Sequence, residues 1–339
     1  MKKTYDKSEN TNKHIIITGG AGYIGSITAE LLKRDSWVPI IIDDLSTGFI
    51  ENVNNFIFYQ CDYADETWIK DVCDKFNPQL IMHFAASTII SESMKEPFKY
   101  YQNNMIKFAS LLNNMVKYSI PYIIFSSSAA VYGNPIDLPI IEEHPLLPTN
   151  VYGHTKKMCE EILYFYNKIH NINYISLRYF NASGAVIDYN LGEQHTIETH
   201  LIPNILQTML NKQPEFKLFG NDYPTKDGTC IRDFVHVIDI AEAHLLALYY
   251  LTNTNKSDVF NIGNEKGYSI KDVIRIASNI LNKKIPIKIE SRRFGDPPIL
   301  ISNSKKIRNL LGWEPKFSNL ENIIQSQWEF MKKKNEILE

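Results

Sequence analysis

"HIIITGGAGYIGSITAELLKR", residues 14–34, sets a short apolar run directly before three glycines spaced G-x-x-G-x-x-G and a segment of helical periodicity. Gly19 would allow a tight turn, Gly22 would let backbone approach a pyrophosphate, and Gly25 would let the helix pack closely on the strand. The helix N-terminus would then face the phosphates, where unpaired N–H groups favour an anion. A glycine pattern alone fits a loop that merely turns tightly just as well. Asp43 shifts the balance. It closes the next apolar run, "VPIIIDD" (38–44), at 43 − 25 = 18 residues past the last glycine, near the roughly 20 expected of a carboxylate that binds an adenosine ribose. A carboxylate there repels a 2′-phosphate, so NAD is expected rather than NADP. Asp62, ending "FIFYQCD" (56–62), either reaches the adenine or caps the following helix.

Working outward, the apolar runs continue as "QLIMHFAA" (79–86), "YIIFSSS" (122–128) and "NYISLRYF" (173–180), separated by helical segments. Short runs that are apolar throughout, alternating with helices, predict strands buried on both faces. The expected fold class is α/β, a Rossmann-like doubly wound parallel sheet with a smaller, irregular α/β substrate domain. Residues 14–180 would form the NAD-binding domain and 181–339 the second domain, after a disordered tail at 1–13. Helices are expected near 200–211, 237–252, 269–282 and 319–333. "CIRDFVHVIDIAEAHLLALYYL" (230–251) reads as a strand and helix, so about 235–262 is expected to rejoin the first domain.

Composition narrows the function. With 339 residues, 36 Lys and Arg against 38 Asp and Glu, and a net charge of −2, there is no bulk electrostatic reason to expect nucleic acid or an anionic membrane as partner. Any anion site must be local. Cys61, Cys73, Cys159 and Cys230 are too scattered for a close-spaced metal motif and read as reduced thiols of a cytoplasmic protein. No apolar run is long enough for a membrane span, and residues 1–13 hold no signal-peptide core.

The fifth apolar run ends in serines, at the edge of the sheet where ligands of such folds bind. Tyr152 follows Ser128 by 152 − 128 = 24 residues and precedes Lys156 by four, one helical turn on the same face. The three side chains can therefore converge on one substrate hydroxyl. A phenol is a poor base at neutral pH, but a neighbouring ammonium and the positive nicotinamide of NAD would favour its phenolate. Tyr164 and Lys168 repeat the spacing, with no serine strand end in register, and read as surface or packing residues.

These motifs, together with "DDLSTG" (43–48), "HFAAS" (83–87), "ESMKEPFKYYQNN" (92–104), "LRYFNASGA" (177–185), "HLIP" (200–203), "FGNDYPTKDGTCIRDFVHV" (219–237) and "RRFGDPP" (292–298), resemble the extended short-chain dehydrogenase/reductase family, in its branch that epimerises UDP-hexoses. The resemblance runs from about residue 14 to the C-terminal helix. It implies reversible interconversion of UDP-glucose and UDP-galactose by a homodimer, through a 4-keto sugar, with NAD tightly held and not consumed. Tyr152 would act as base and then acid, with Lys156 tuning it and Ser128 supporting proton movement.

The resemblance further implies that NAD is bound by Gly19, Gly22, Tyr23, Ile24 and Gly25, by Asp43, Asp44, Leu45, Ser46, Thr47 and Gly48, and by Asp62 and Tyr63. Phe84, Ala85 and Ala86 would follow, with Asn103, Ser126, Tyr152, Lys156 and Tyr179 around the nicotinamide. The UDP-hexose would meet Ser128, Tyr152, Asn181, His200, Leu201, Lys217, Phe219, Arg232, Arg293, Asp296 and Leu300. No metal is expected. Thr88 stands where some members have lysine, and His200 where some have asparagine. Leu300 occupies the position linked to acceptance of N-acetylated sugars, with a side chain of intermediate size. A nucleotide-sugar 4,6-dehydratase would need a carboxylate where the strand ends in "SSSAAV" (126–131). A non-catalytic scaffold would have little reason to keep Ser128, Tyr152 and Lys156 together.

Overall fold

The computed structural model describes residues 13–196, 198–293 and 295–338. The expected tail lies outside them except for Lys13. The chain begins β1 (His14–Thr18), α1 (Tyr23–Arg34), β2 (Val38–Asp43), β3 (Ile57–Gln60), α2 (Glu66–Phe76) and β4 (Leu80–His83). Short helices α3 (Ile90–Ser93) and α4 (Pro97–Tyr100) follow. A π-helical stretch, Tyr101–Ile106, then leads into α5 (Lys107–Lys117), β5 (Tyr122–Ser128), α6 (Val151–His170) and β6 (Asn173–Tyr179). Beyond these lie β7 (Asn181–Ser183), β8 (Ala185–Val186), β9 (Leu191–Gly192), α7 (Leu201–Met209), β10 (Phe216–Phe219), β11 (Ile231–His236), α8 (Val237–Thr254) and β12 (Asp258–Ile262). The chain closes with β13 (Gly267–Ser269), α9 (Ile270–Leu281), β14 (Ile287–Glu290), β15 (Ile299–Leu300), α10 (Lys305–Leu311) and α11 (Leu320–Leu338).

Seven strands form a parallel sheet in the order β12-β6-β5-β4-β1-β2-β3. Alternate residues of one strand enter different cores. Ile15, Ile17 and Ile41 pack in the layer that includes residues of α1 and α8, whereas Ile16, Ile40 and Ile42 pack in the layer of α2, α5 and α6. This two-sided burial is why the runs are apolar at every position. The strand order reverses between β1 and β4, which opens a crevice at their carboxyl ends.

The smaller region has its own core, drawn from α7, α9, α11 and β10. Within 230–251, the strand and the helix part company. β11 lies outside the large sheet and pairs with β7, β13 and β15, while α8 packs on α1 and β12 extends the large sheet beside β6. At Ile231 and Arg232 the strand is flanked by β13 and β15 and its later residues pair with β7, so its ladder bonds are taken and it does not join the parallel sheet. No helix among the described residues is long and apolar enough to cross a membrane.

Candidate active site

The glycine loop is held by backbone approach. Gly19 has φ +74°, and a Cβ on it would lie 2.4 Å from the backbone N of Ala85; one on Gly25 would lie 2.3 Å from the Gly19 carbonyl oxygen. Both positions therefore exclude any side chain. Gly22, immediately before α1, differs, since a Cβ there would meet only the Gly19 oxygen, at 3.3 Å. No side chain caps α1, which leaves its first N–H groups for a ligand. Asp43, at the end of β2, accepts from Ala21 N and Leu45 N, each at 2.9 Å. Burial raises its carboxyl pKa while those two N–H groups hold it down. One carboxylate thus ties the glycine loop to the loop that follows β2. Gly48 lies against Ala21, where a Cβ would come within 2.7 Å of the alanine methyl. In the same loop Asp44 accepts from Ser46 N at 2.9 Å, and Ser46 and Thr47 are exposed.

Asp62 is not the helix cap. Asp65 caps α2, accepting from Thr67 N at 3.0 Å, while Asp62 accepts from Ala64 N and pairs with Lys107 at 2.7 Å. The Tyr63 phenol is turned inward onto the Asn103 carbonyl. Phe84 N and Ala85 N both donate to the Thr18 carbonyl, so "FAA" is fixed against the end of β1. The Phe84 ring lies 4.7 Å from that of His244.

The serine end of β5 and the start of α6 meet closely. Asn150 caps α6, accepting from Gly153 N at 2.8 Å, and a Cβ on Gly153 would lie 2.3 Å from the Ala130 carbonyl oxygen. That contact brings the Tyr152 phenol to the Ser128 hydroxyl, which holds the phenol pKa down. Lys156, one turn on and 2% exposed, donates to the Ser126 carbonyl at 2.7 Å. Tyr179 donates to His244 Nε2 at 2.6 Å and lies beside Ser126. Because His244 Nδ1 lies 2.9 Å from the Ile240 carbonyl, it is the donor and Nε2 the acceptor. Tyr164 and Lys168 form an exposed cation–π pair at 5.6 Å.

The electrostatics differ from the sequence expectation. Burial raises the Tyr152 pKa, and the Ser128 hydroxyl opposes the rise. Lys156 does not lower it in the protein alone, because its ammonium is aimed at Ser126 O and sits 6.0 Å from the tyrosine ring centroid. Burial in turn pushes Lys156 down to about 8, against the pull of Cys159 and Glu160. Between pH 8 and its ordinary value of 10.5, unfolded chain holds a proton that folded chain has released, so this group's contribution to stability rises with pH. Urea unfolding of wild type and Lys156→Met at pH 8 and pH 10 should show the difference moving toward wild type at the higher pH. An unchanged difference would reject the shift.

Sequence reasoning missed the framework around these groups. Asn104, in the π-helical stretch and 2% exposed, accepts from Ser87 N at 2.8 Å and donates to Ser87 O and to Thr155 Oγ1 at 2.9 and 3.1 Å. It locks the turn after β4 to α6. Asn103, beside it, donates to Ser87 Oγ at 3.1 Å. Below the triad, Glu160 takes a bidentate bond from Arg178, at 3.0 and 2.6 Å, and a further bond from Ser127 Oγ at 2.5 Å. Arg178 also donates to Tyr132 Oη and the Glu142 carbonyl, each at 2.9 Å. Glu160 was within reach of sequence reading, since it lies four residues past Lys156 on the same helix face.

Beyond the crevice, Asn181 donates to the Asp233 carbonyl at 2.9 Å. Arg232 pairs with Asp296 at 3.1 Å, and not with Asp233 or Asp239. Arg293 stacks on Phe219 at 4.2 Å. Thr149 donates to the Gly295 carbonyl at 3.2 Å, so the loop carrying Arg293 and Asp296 touches the turn that launches Tyr152. Leu300 packs with Ala129 and Phe180, the residues after Ser128 and Tyr179. Lys217 is exposed on β10, and Leu201 packs on the core of the smaller region. His200 sits between Glu193 and Glu198, at 3.0 and 3.2 Å. Thr88 is exposed.

A glycine loop at a topological switch point, with a tyrosine and a buried lysine facing a serine strand end, defines a dinucleotide-dependent enzyme that moves hydrogen at a hydroxyl-bearing carbon. The chain belongs to the NAD dependent epimerase/dehydratase family, whose model matches residues 15–263. Among individual relatives, it is 41% identical over 318 residues to the UDP-glucose 4-epimerase of Halalkalibacterium halodurans, covering 94% of this chain and 95% of that one. The crystal structure of UDP-glucose 4-epimerase from Brucella ovis in complex with NAD is 38% identical, with a TM-score of 0.90 over 94% of this chain and 98% of that one. The enzyme from Bifidobacterium longum in complex with NAD+ and UDP is 31% identical, with a TM-score of 0.89 over 95% and 99%. The residues present fit NAD: the loop bars a side chain at Gly19 and Gly25 yet leaves Gly22 open, and a carboxylate closes β2.

Proposed function

We propose that this chain interconverts UDP-glucose and UDP-galactose at C4, with NAD as a resident cofactor. The observation that carries the reading is the Tyr152 phenol facing the Ser128 hydroxyl at the carboxyl edge of the sheet, with Lys156 buried one turn on. When bound, NAD accepts and returns a hydride and brings a positive charge that favours the phenolate. The protein's part is proton movement and placement. Tyr152 takes the proton of the sugar 4-hydroxyl as the C4 hydrogen leaves; the 4-keto sugar turns over, and Tyr152 returns a proton once hydrogen arrives on the opposite face. Ser128 bridges the hydroxyl and the phenol. Lys156, already fixed by Ser126, is assigned the nicotinamide ribose, with Asn103 and Tyr179 beside it. Gly19, Gly22, Gly25 and Asp43 are assigned the pyrophosphate and adenosine ribose.

Arg232, Arg293 and Phe219 are assigned the UDP, since planar guanidinium forks suit a pyrophosphate. Asn181, which opens β7, is assigned the sugar side. The parallel sheet with α8 and β12 would act as the cofactor domain and the smaller region as the UDP-sugar domain. Phe98, Ile106, Tyr164, Phe165 and Ile169 leave an exposed apolar face on α4 to α6, which supports a homodimer. The free cysteines support a cytoplasmic protein.

Incubation of purified protein with UDP-galactose and no added NAD should yield UDP-glucose. A 4-keto-6-deoxy sugar, or binding without turnover, would overturn the reading. Leu300, packed beside the residues that follow Ser128 and Tyr179, is assigned the limit on substituent size at the sugar. Leu300→Tyr should cut kcat/KM for UDP-N-acetylhexosamines by about tenfold or more relative to the plain sugars. Equal loss on both would remove Leu300 from that role.

A further inference from the structure

Between β9 and α7 the chain gathers Glu193, His195, Glu198 and His200, and one ligand atom from each lies within 4.8 Å of all the others. The closest pairs are His200 Nδ1 to Glu193 Oε1 at 3.0 Å, His200 Nδ1 to Glu198 Oε1 at 3.2 Å, and His195 Nε2 to Glu193 Oε1 at 3.6 Å. Four ligands arranged tetrahedrally about zinc, with bonds of about 2.0–2.2 Å, stand roughly 3.3 Å from one another. The three closest spacings bracket that value.

Glu193 is fixed from behind. Its N–H donates to Gln327 Oε1 at 3.2 Å and its carbonyl accepts from Gln327 Nε2 at 2.8 Å; Gln327, on α11, is fully buried. Glu193 is 4% exposed, yet among the described residues its Oε2 has no hydrogen-bond partner, and neither does the buried His195 Nε2. Each such orphan is destabilising. A bridging imidazolium at His200 would explain its two short contacts but would leave both of these atoms unpaired.

We propose that Glu193, His195, Glu198 and His200 hold one divalent cation of the zinc class. Imidazole nitrogens combined with carboxylates suit zinc better than a hard cation that prefers oxygen alone. Four protein ligands leave no open position, so the site is structural and not catalytic. Its effect is to pin the four ligand residues just before α7 and so set Leu201. Tyr23 of the glycine loop donates to the Gly184 carbonyl at 2.5 Å. Metal ligation also takes His200 Nδ1 away from the UDP contact that sequence resemblance implies.

The test is metal content and zinc affinity of the full chain. Protein grown with zinc and dialysed should retain about one equivalent per chain. After chelation, thermal denaturation should begin at lower temperature, and added zinc should restore it. His195→Ala should weaken zinc binding by at least about a hundredfold, measured by competition with a chromophoric chelator. Cobalt in the wild type should give the visible absorption of a tetrahedral site. Wild type that binds no zinc, a melting profile indifferent to chelation and readdition, or His195→Ala binding as tightly as wild type would each overturn the proposal. The wild-type measurements stand even where the variant does not fold.

Discussion

Tyr152→Phe should lower kcat for interconversion of UDP-glucose and UDP-galactose by about a hundredfold to ten-thousandfold, the range of a positioned acid–base group, while NAD remains bound. The change removes one oxygen from a ring whose backbone is anchored elsewhere: Tyr152 N donates to Ser93 Oγ at 3.2 Å, and Asn150 caps the helix. Cofactor content and melting temperature should therefore stay near wild type. The phenol has no substitute close by, since Tyr179 is occupied by His244 and burial raises its pKa well above that of an ordinary tyrosine. Retention of most activity would remove Tyr152 from its role. Loss of NAD together with activity would mean that the ring serves to hold cofactor and not to move a proton.

The second large effect is on stability. Glu160→Ala should destabilise the fold by about 3–5 kcal/mol, because it leaves the Arg178 guanidinium buried without its counter-ion. The two side chains are 7% and 5% exposed, and Ser127 loses its acceptor in the same step. Replacing both partners by apolar residues of similar volume should cost far less than either single removal, because a vacant pair leaves no uncompensated charge. Urea unfolding of Glu160→Ala and of a double variant such as Glu160→Leu/Arg178→Met decides this. A single variant within about 1 kcal/mol of wild type, the worth of an exposed pair, would show that the pair contributes little. The network also backs the serines of β5, so kcat should fall in the single variant even at temperatures where it remains folded.

The parallel sheet is legible in the sequence because burial on both faces forces apolar residues at every strand position, as at Ile15, Ile16 and Ile17. The triad is legible because a strand end and a helix start each leave a local mark, and Gly153 permits their contact. Other features depend on pairings that spacing does not carry. β11 reads like another core strand, yet it is claimed by β7, β13 and β15. Asp62 and Asp65 both precede α2, and only backbone geometry selects Asp65 as cap. Asn104 acquires its role from the extra residue per turn of a π-helix, a register that composition does not reveal. Arg178 and Glu160 lie on neighbouring elements, β6 and α6, and meet only once the helix docks on the sheet. Glu193, His195, Glu198 and His200 carry no periodic signature in the sequence that would single them out as a cluster.

The most direct test of the central claim, that one hydrogen leaves C4 and returns to the same carbon without exchange, uses UDP-galactose deuterated at C4. The purified protein is given this substrate with no added dinucleotide, and the UDP-glucose formed is examined by mass spectrometry and NMR. The account predicts product with the deuterium still at C4 and none released to water. Product carrying hydrogen from solvent at C4, or deuterium displaced to another carbon, would contradict it.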